Sequence, residues 1–200
     1  FFLSLQNLGL KKVYGLLFHR PEDLLKIGGE LLIQKILDLK ERELVKKIGI
    51  SIYDCSILEK ILPKFTPDII QLPLNVFDQD SYLNGTLKKL KDKEIEIHAR
   101  SIFLQGLLLM ETNEIPGFFD PWKLNFDEFN KICCKFNLSK LEAALNFISN
   151  VREVDKFILG FNDSNQLQEV LNGIKNKDKV NFSNLCSIDS NLINPQNWKL

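Results

Sequence analysis

Five short apolar runs limit what this chain can fold into. Residues 13–19 (VYGLLFH), 47–51 (KIGIS), 68–71 (DIIQ), 94–100 (EIEIHAR) and 156–160 (KFILG) each end on a polar residue or a glycine. Amphipathic helical stretches separate them. Short buried strands alternating with such helices predict βα units and a parallel sheet. In a (β/α)8 barrel the chemistry sits at the C-terminal ends of the strands, where His19, Ser51, Gln71 and Arg100 fall. Five strands do not close a barrel of eight, so the pattern predicts an incomplete barrel.

Two hundred residues, 44% hydrophobic and 26% charged, suit one soluble domain over 1–200 with a substantial core. The 26 basic and 26 acidic residues cancel, so no nucleic-acid partner is expected. The lysines of residues 88–93 alternate with apolar residues at helical spacing and read as a solvated helix face. No apolar run approaches the ~20 residues that cross a bilayer, so no membrane partner is expected either. The opening Phe1-Phe2-Leu3 has neither a basic stretch before it nor a small-residue cleavage site after it. With no initiator Met, the chain is expected to begin within a longer protein. Cys55, Cys133, Cys134 and Cys186 form no CxxC pair and no metal spacing. They read as reduced packing residues of a cytoplasmic protein. With only two histidines, far apart, no metal site is expected.

Along the chain, residues 4–10 read as a helix end closed by Gly9. Pro21, followed by Glu22 and Asp23, starts a short helix. After Gly28-Gly29, a helix over 30–46 presents Leu31, Ile33, Ile36, Leu37, Leu39 and Leu44. Further helices are expected over 56–65, 81–91, 126–136, 139–150 and 164–175. Residues 101–124, with Pro116, Gly117 and Pro121, read as a long loop.

Several residues can carry chemistry. His19 would place an imidazole at the barrel mouth, able to donate to a carbonyl or exchange a proton, or would merely end a strand. Ser51 and Gln71 offer neutral groups suited to an amide, and Asn75 can add another; each can equally satisfy loop backbone. Arg100 can stack on a ring or bind phosphate. His98, two residues deeper on the same face, reads as a satisfied interior histidine. Residues 160–169 (GFNDSNQLQE) form a strand–turn–helix junction of the kind that binds phosphate. Asn162, Asp163 and Ser164 can also cap that helix with no ligand at all. Phe118, Phe119 and Trp122 suit either an apolar pocket or core packing.

Taken in order, YGLLFHRPEDL, KKIGISIYD, PDIIQLPLNVFDQ, EIHARSIFLQGLLL and FILGFNDSNQLQEVL resemble the aldo-keto reductase family. The resemblance implies a TIM barrel of that type, here covering strands four to eight. It implies hydride transfer between NADP or NAD and a small carbonyl or alcohol substrate. His19 would then take the role of the histidine that polarises the carbonyl, and Ser51 and Gln71 would hold the nicotinamide carboxamide. Many members carry Asn after that serine, where this chain has Ile52. Arg100 replaces the tyrosine on which the nicotinamide usually stacks. Ser101, Leu104 and Gln105 would line the pyrophosphate. Asn162, Ser164 and Gln166 belong to the segment that grips the adenosine end; it lacks Lys or Arg, so NAD or mixed use is implied.

The family's proton-donating tyrosine, with its lysine and aspartate, belongs to segments ahead of Phe1, and Tyr14, Tyr53 and Tyr82 stand elsewhere. A whole barrel takes about 250 residues. The 200 residues alone are therefore expected to be inactive. The rival readings are a non-catalytic nucleotide-binding or regulatory remnant, and a barrel enzyme acting on phosphorylated sugars. Ser51 with Gln71, and the lack of a strand-end Lys or carboxylate pair, argue against the latter. An open sheet edge exposes apolar surface and unpaired backbone groups. The isolated 200-residue chain is accordingly expected to self-associate in size-exclusion chromatography with light scattering; a monodisperse, cooperatively melting monomer would contradict this.

Overall fold

The computed structural model describes residues 1–175 and 179–199. Five strands, β1 (Val13–Phe18), β2 (Val45–Ser51), β3 (Ile69–Pro73), β4 (Glu96–Arg100) and β5 (Lys156–Phe157), lie in the sheet in sequence order. Parallel pairing sets Phe18 opposite Ile50 and Ser51 opposite Gln71. Helix α1 (Phe2–Leu8) precedes β1, and α2 (Gly29–Glu41) and α3 (Leu58–Ile61) follow β1 and β2. Helices α4 (Asp80–Leu83) and α5 (Thr86–Lys91) lead to β4, α6 (Lys123–Phe136) and α7 (Lys140–Ser149) to β5, and α8 (Ser164–Gly173) and α9 (Ser190–Ile193) come last. The alternation read from the apolar runs is thus an α/β fold with a five-stranded parallel sheet. No helix among the described residues is long and apolar enough to cross a membrane.

The chain divides into two compact units, Phe1–Leu72 with Lys89–His98, and Pro73–Lys88 with Ala99–Leu200. In the first, Ile48, Ile50, Ile70 and Ile97 on the strands and Ile33, Ile36 and Leu24 from the helical segments form the core. Burial of each such side chain is worth about 1.5–3 kcal/mol. Gly49 has no room to grow: a Cβ there would stand 2.5 Å from the Ile69 carbonyl oxygen. Glu96, buried at the start of β4, accepts from the Tyr14 hydroxyl at 2.5 Å and from the Lys47 ammonium, and contacts His98 Nε2 at 2.6 Å. Three strands thereby converge on one carboxylate. Its hydrogen bond from Lys47 holds that ammonium above the usual lysine range, against the cost of desolvation.

The second unit has an aromatic core. Phe77 meets Phe126 and Phe129 edge-on, at 5.2 and 6.2 Å between ring centroids. Phe119, 1% exposed, meets Trp198 at 4.9 Å. Of the two uses open to Phe119, the structure shows core packing. Helix α7 starts on a capping box between Ser139 and Glu142 and buries Ala143, Ala144, Leu145 and Ile148. β5 is tied to β4 by Ile158 N–H donating to the Ala99 carbonyl at 2.8 Å. The four cysteines are free thiols. Cys133 is buried, and burial pushes its thiol up to about 11. Cys134 is exposed, so the packing role read for it does not hold.

Several boundaries differ from the sequence reading. The helix expected over 30–46 stops at Glu41, and Leu44 lies outside it. Glu43 takes a left-handed φ of 56°, with Glu43 N–H donating to Lys40 and Leu44 N–H to Leu39. This is the usual glycine-type helix stop, made here by a glutamate. Glu94 does the same after α5, at φ 59°, and delays β4 to Glu96. Gly85, at φ 78°, splits the helix expected over 81–91 in two. The segment over 56–65 is a 3₁₀ turn, Cys55–Ile57, running into the four-residue α3. Helix α8 ends at Gly173, and the last strand covers only Lys156–Phe157 rather than 156–160. The long loop contains two 3₁₀ segments, Leu104–Leu109 and Gly117–Trp122.

After β3 the chain turns on Asn75, whose Oδ1 accepts from the amides of Phe77 and Asp78 at 3.0 and 3.1 Å. Burial pushes the Asp78 carboxyl from its ordinary 3.8 up to about 7; Asp80 adds to the rise and Arg100 opposes it. The native state therefore holds this proton where the unfolded chain has released it, and stability falls as pH rises from 3.8 to about 7. Asp78→Asn is expected to stabilise the protein at pH 8 by about 1–2 kcal/mol, allowing for screening at a part-exposed group, and to give no gain at pH 3.5. Urea melts at the two pH values check this; equal gains at both would refute it. Gly49→Ala is expected to cost more than about 2 kcal/mol in the same melts, because the obstacle is backbone and cannot rotate away.

Candidate functional site

The first unit carries three of the residues read from sequence, and Gln71 lies within β3 rather than at its end. β1 stops at Phe18, and His19 stands exposed in the bend before Pro21. Ser51 closes β2 and is 7% exposed, and its hydroxyl reaches Gln71 Oε1 at 3.4 Å. Parallel register makes the two direct neighbours, and the ladder continues beyond them as Ile52 N–H donates to the Gln71 carbonyl at 2.8 Å. Side chains alternate along a strand, so Ser51 shares its side of β2 with Gly49 and Lys47. A hydroxyl and a primary amide together offer donors and acceptors but no charge, a set that matches another amide. Ile52 is buried and apolar. His98 is buried and held by Glu96, as expected of an interior histidine.

In the second unit the chain leaves β4 through a strained turn. Arg100 is half-buried and donates from Nη1 to Ser101 Oγ at 3.3 Å. Ser101 lies at φ 57°, and Leu104, Gln105 and Gly106 follow at 47°, 58° and 88°. Non-glycine residues in this region cost of order 1–3 kcal/mol each and persist only where surrounding structure enforces them. Two anchors do so here. Asn75 Nδ2 donates to the Ser101 carbonyl at 3.1 Å, and the Leu104 side chain is completely buried. Of the two readings open to Asn75, a ligand contact or a group satisfying loop backbone, the hydrogen bonds display the second, and the side chain is wholly buried. The Asn-x-x-Asp spacing after Pro73 is the signal for that role.

The turn forms one wall of a cleft of about 700 Å³. Ser101, Gln105 and Gly106 lie on that wall, and Asn162, Gln166 and Glu169 line the other. Four of the expected residues, Ser101, Gln105, Asn162 and Gln166, are thus brought together. Leu104 is not among the lining residues, because its left-handed backbone sends the side chain into the core. Ser164 is exposed on the first turn of α8, one position past the cap. The cap is Asp163, whose Oδ1 accepts from the amides of Asn165 and Gln166 at 2.8 and 2.9 Å. Gln166 Oε1 in turn accepts from the Asn162 amide at 2.9 Å. Of the two readings left open for this junction, the capping one is what the hydrogen bonds display. Asp78, absent from the sequence reading, is raised by burial, and the Arg100 charge opposes that rise.

The sequence matches the profile of the Aldo/keto reductase family over residues 3–189. No curated protein matches it. Among solved structures it resembles the holo form of aldo-keto reductase AKR11C1 from Bacillus halodurans, at 15% identity and a TM-score of 0.70 over 88% of this chain and 60% of that one. It also resembles an aldo/keto reductase from Brucella melitensis, at 22% identity and a TM-score of 0.64 over 92% and 62%. The glycerol dehydrogenase AKR11B4 from Gluconobacter oxydans matches at 17% identity and a TM-score of 0.56 over 89% and 64%. The chain therefore spans about three fifths of the length of these structures. Identities this low speak for the fold, and the profile match over nearly all of the sequence speaks for descent: the chain belongs to the aldo/keto reductase family.

Proposed function

We propose that these residues form strands four to eight of a (β/α)8-barrel oxidoreductase that uses a nicotinamide dinucleotide to interconvert a small carbonyl compound and its alcohol. Family membership makes an oxidoreductase the natural class. The observation that supports the finer reading is the part-buried Ser51–Gln71 pair on adjacent parallel strands. Its neutral donors and acceptors fit a carboxamide. The cleft in the second unit falls in the size range of small-molecule sites and offers a hydroxyl, amides and a close-approach glycine to a diphosphate and its adenosine.

The nicotinamide, when bound, supplies or accepts the hydride. The rest falls to the protein's own groups. Ser51 and Gln71 orient the ring by its carboxamide. Arg100, in the second unit, would offer the cofactor a planar guanidinium able to stack on a ring or bind phosphate. Asn75 keeps Ser101 in the conformation that shapes the cleft wall. His19, exposed beyond β1, donates a hydrogen bond to the substrate carbonyl and so favours charge build-up on its oxygen. The Tyr14 hydroxyl is committed to Glu96. Tyr14, Tyr53 and Tyr82 all stand outside the segments that resemble the family's proton donor, so the proton that completes the alcohol is assigned to a group outside these residues, and the 200-residue chain by itself binds nucleotide without turnover.

Quenching of Trp122 and Trp198 fluorescence by NADH or NADPH tests the reading. Saturable binding is expected, weakened about tenfold by Gln71→Leu, which removes two charge-free hydrogen bonds of about 0.5–1.5 kcal/mol each. His19→Phe should leave that binding unchanged. No binding of either dinucleotide would sink the proposal, and carbonyl-dependent oxidation of NADH by the isolated chain would overturn its inactivity.

A further inference from the structure

The sequence contains two Asn-Gly pairs, Asn84-Gly85 and Asn172-Gly173, and the fold holds them in opposite settings. Such a pair carries a reaction within its own chain. The glycine peptide nitrogen, unhindered by a side chain, attacks the asparagine Cγ once base has taken its proton. The N–Cγ bond forms, the Cγ–Nδ2 bond breaks, and the side-chain nitrogen leaves as ammonia with a proton from water. Water then opens the cyclic imide at either carbonyl, giving an aspartyl or an isoaspartyl residue. The rate depends on whether the backbone can bring that nitrogen to Cγ.

Asn84 is exposed in the turn between α4 and α5, and Gly85 takes a left-handed φ of 78°. Nothing stands within 4 Å of where a Gly85 Cβ would lie, so this peptide has space to turn. Its N–H donates to the Tyr82 carbonyl at 3.2 Å, the long end of the hydrogen-bond range. The Asn84 side chain is folded forward along the chain, with Oδ1 accepting from the Thr86 amide at 2.9 Å. That donor also stabilises the charge that builds on Oδ1 as Cγ is attacked. Asn172 is placed differently, inside α8. Its Oδ1 accepts from Gln168 Nε2 at 3.3 Å and from Lys175 Nζ at 3.2 Å. A Cβ at Gly173 would stand 2.8 Å from Leu145 Cδ1, so this peptide is packed against α7 and turns only if the helix opens.

We propose that Asn84 is a site of spontaneous deamidation, with the Gly85 peptide nitrogen as nucleophile, and that α8 spares Asn172. The change is not silent. Asn84 Nδ2 donates to Asp80 Oδ2 at 2.9 Å, and either product replaces that donor with a second carboxylate. The isoaspartyl form also lengthens the backbone by a methylene and withdraws the oxygen that holds the Thr86 amide.

The test is to age the 200-residue protein at pH 8 in heavy-oxygen water, with and without urea, and to follow the peptides holding the two pairs by mass spectrometry. In urea both pairs are expected to take up label at similar rates, since only the local sequence then acts. In the folded protein Asn84 is expected to react about tenfold or more faster than Asn172, where helix opening must come first. The rate at Asn84 should also rise with pH, because the attacking nitrogen must lose its proton. Asn84→Ser keeps an oxygen for the Thr86 amide and should abolish labelling of that peptide. Aged parent protein is expected to melt below fresh protein, and aged Asn84→Ser protein to melt like its own fresh sample. Folding that suppresses Asn84 as strongly as Asn172 would overturn the inference, as would label that persists in the Asn84→Ser peptide. Labelling of Asn84 with an unchanged melt would overturn its structural consequence.

Discussion

A Cβ at Gly49 would stand 2.5 Å from the Ile69 carbonyl, so β2 and β3 meet here as bare backbone. That approach fixes the register in which Gly49 pairs with Ile69 and Ser51 with Gln71. Side chains alternate with a period of two, and a slip of one residue would send Ser51 to the helix side and Ile50 into its place. The site therefore depends on a position with no chemistry of its own. The same register also places Ile48 and Ile50 among the buried side chains of the first unit, so the core and the site are two faces of one constraint.

Glu96 gathers Tyr14, Lys47 and His98 from three strands, and its burial makes each partner matter. Ion pairs of this kind add little net stability compared with apolar packing, but removing one member is costly. Their effect here is to hold His98 and Lys47 in fixed positions and to commit the Tyr14 hydroxyl. In the second unit Asn75 acts similarly, accepting from the amides of Phe77 and Asp78 in its own turn and donating to the Ser101 carbonyl in the turn after β4. Left-handed Leu104 and Gln105 are tolerated because the Leu104 side chain is sunk in the core. Strain near the cleft is offset by burial beneath it.

What was legible beforehand follows from which signals are local. Each apolar run overlaps a strand, because periodicity and burial are written residue by residue, but only Ser51 and Arg100 end theirs: His19 lies past β1, Gln71 within β3 and Gly160 past β5. Helix ends were less legible. Gly9 and Asn137 announce a left-handed stop, whereas Glu43 and Glu94 adopt the same conformation without any residue preference to signal it. For Asn75 the sequence leaves a ligand contact and loop support both open, because its donors and acceptors are visible there while a partner such as Ser101, 26 residues away, is not. Nor does the sequence show that the Leu104 side chain is buried, or that Asp163 rather than Ser164 caps α8.

By itself, the sequence determined the βα alternation, the five strands and the residue types offered at their ends, because apolar periodicity, proline and capping preferences act over a few residues. Tertiary structure decided which of those residues meet. It paired Ser51 with Gln71, gathered Ser101, Gln105, Asn162 and Gln166 around one cleft, and gave the amides at the start of α8 to Asp163. Contacts of this kind depend on register, backbone handedness and competition for hydrogen bonds among residues far apart in the chain, and no local pattern encodes the outcome of that competition.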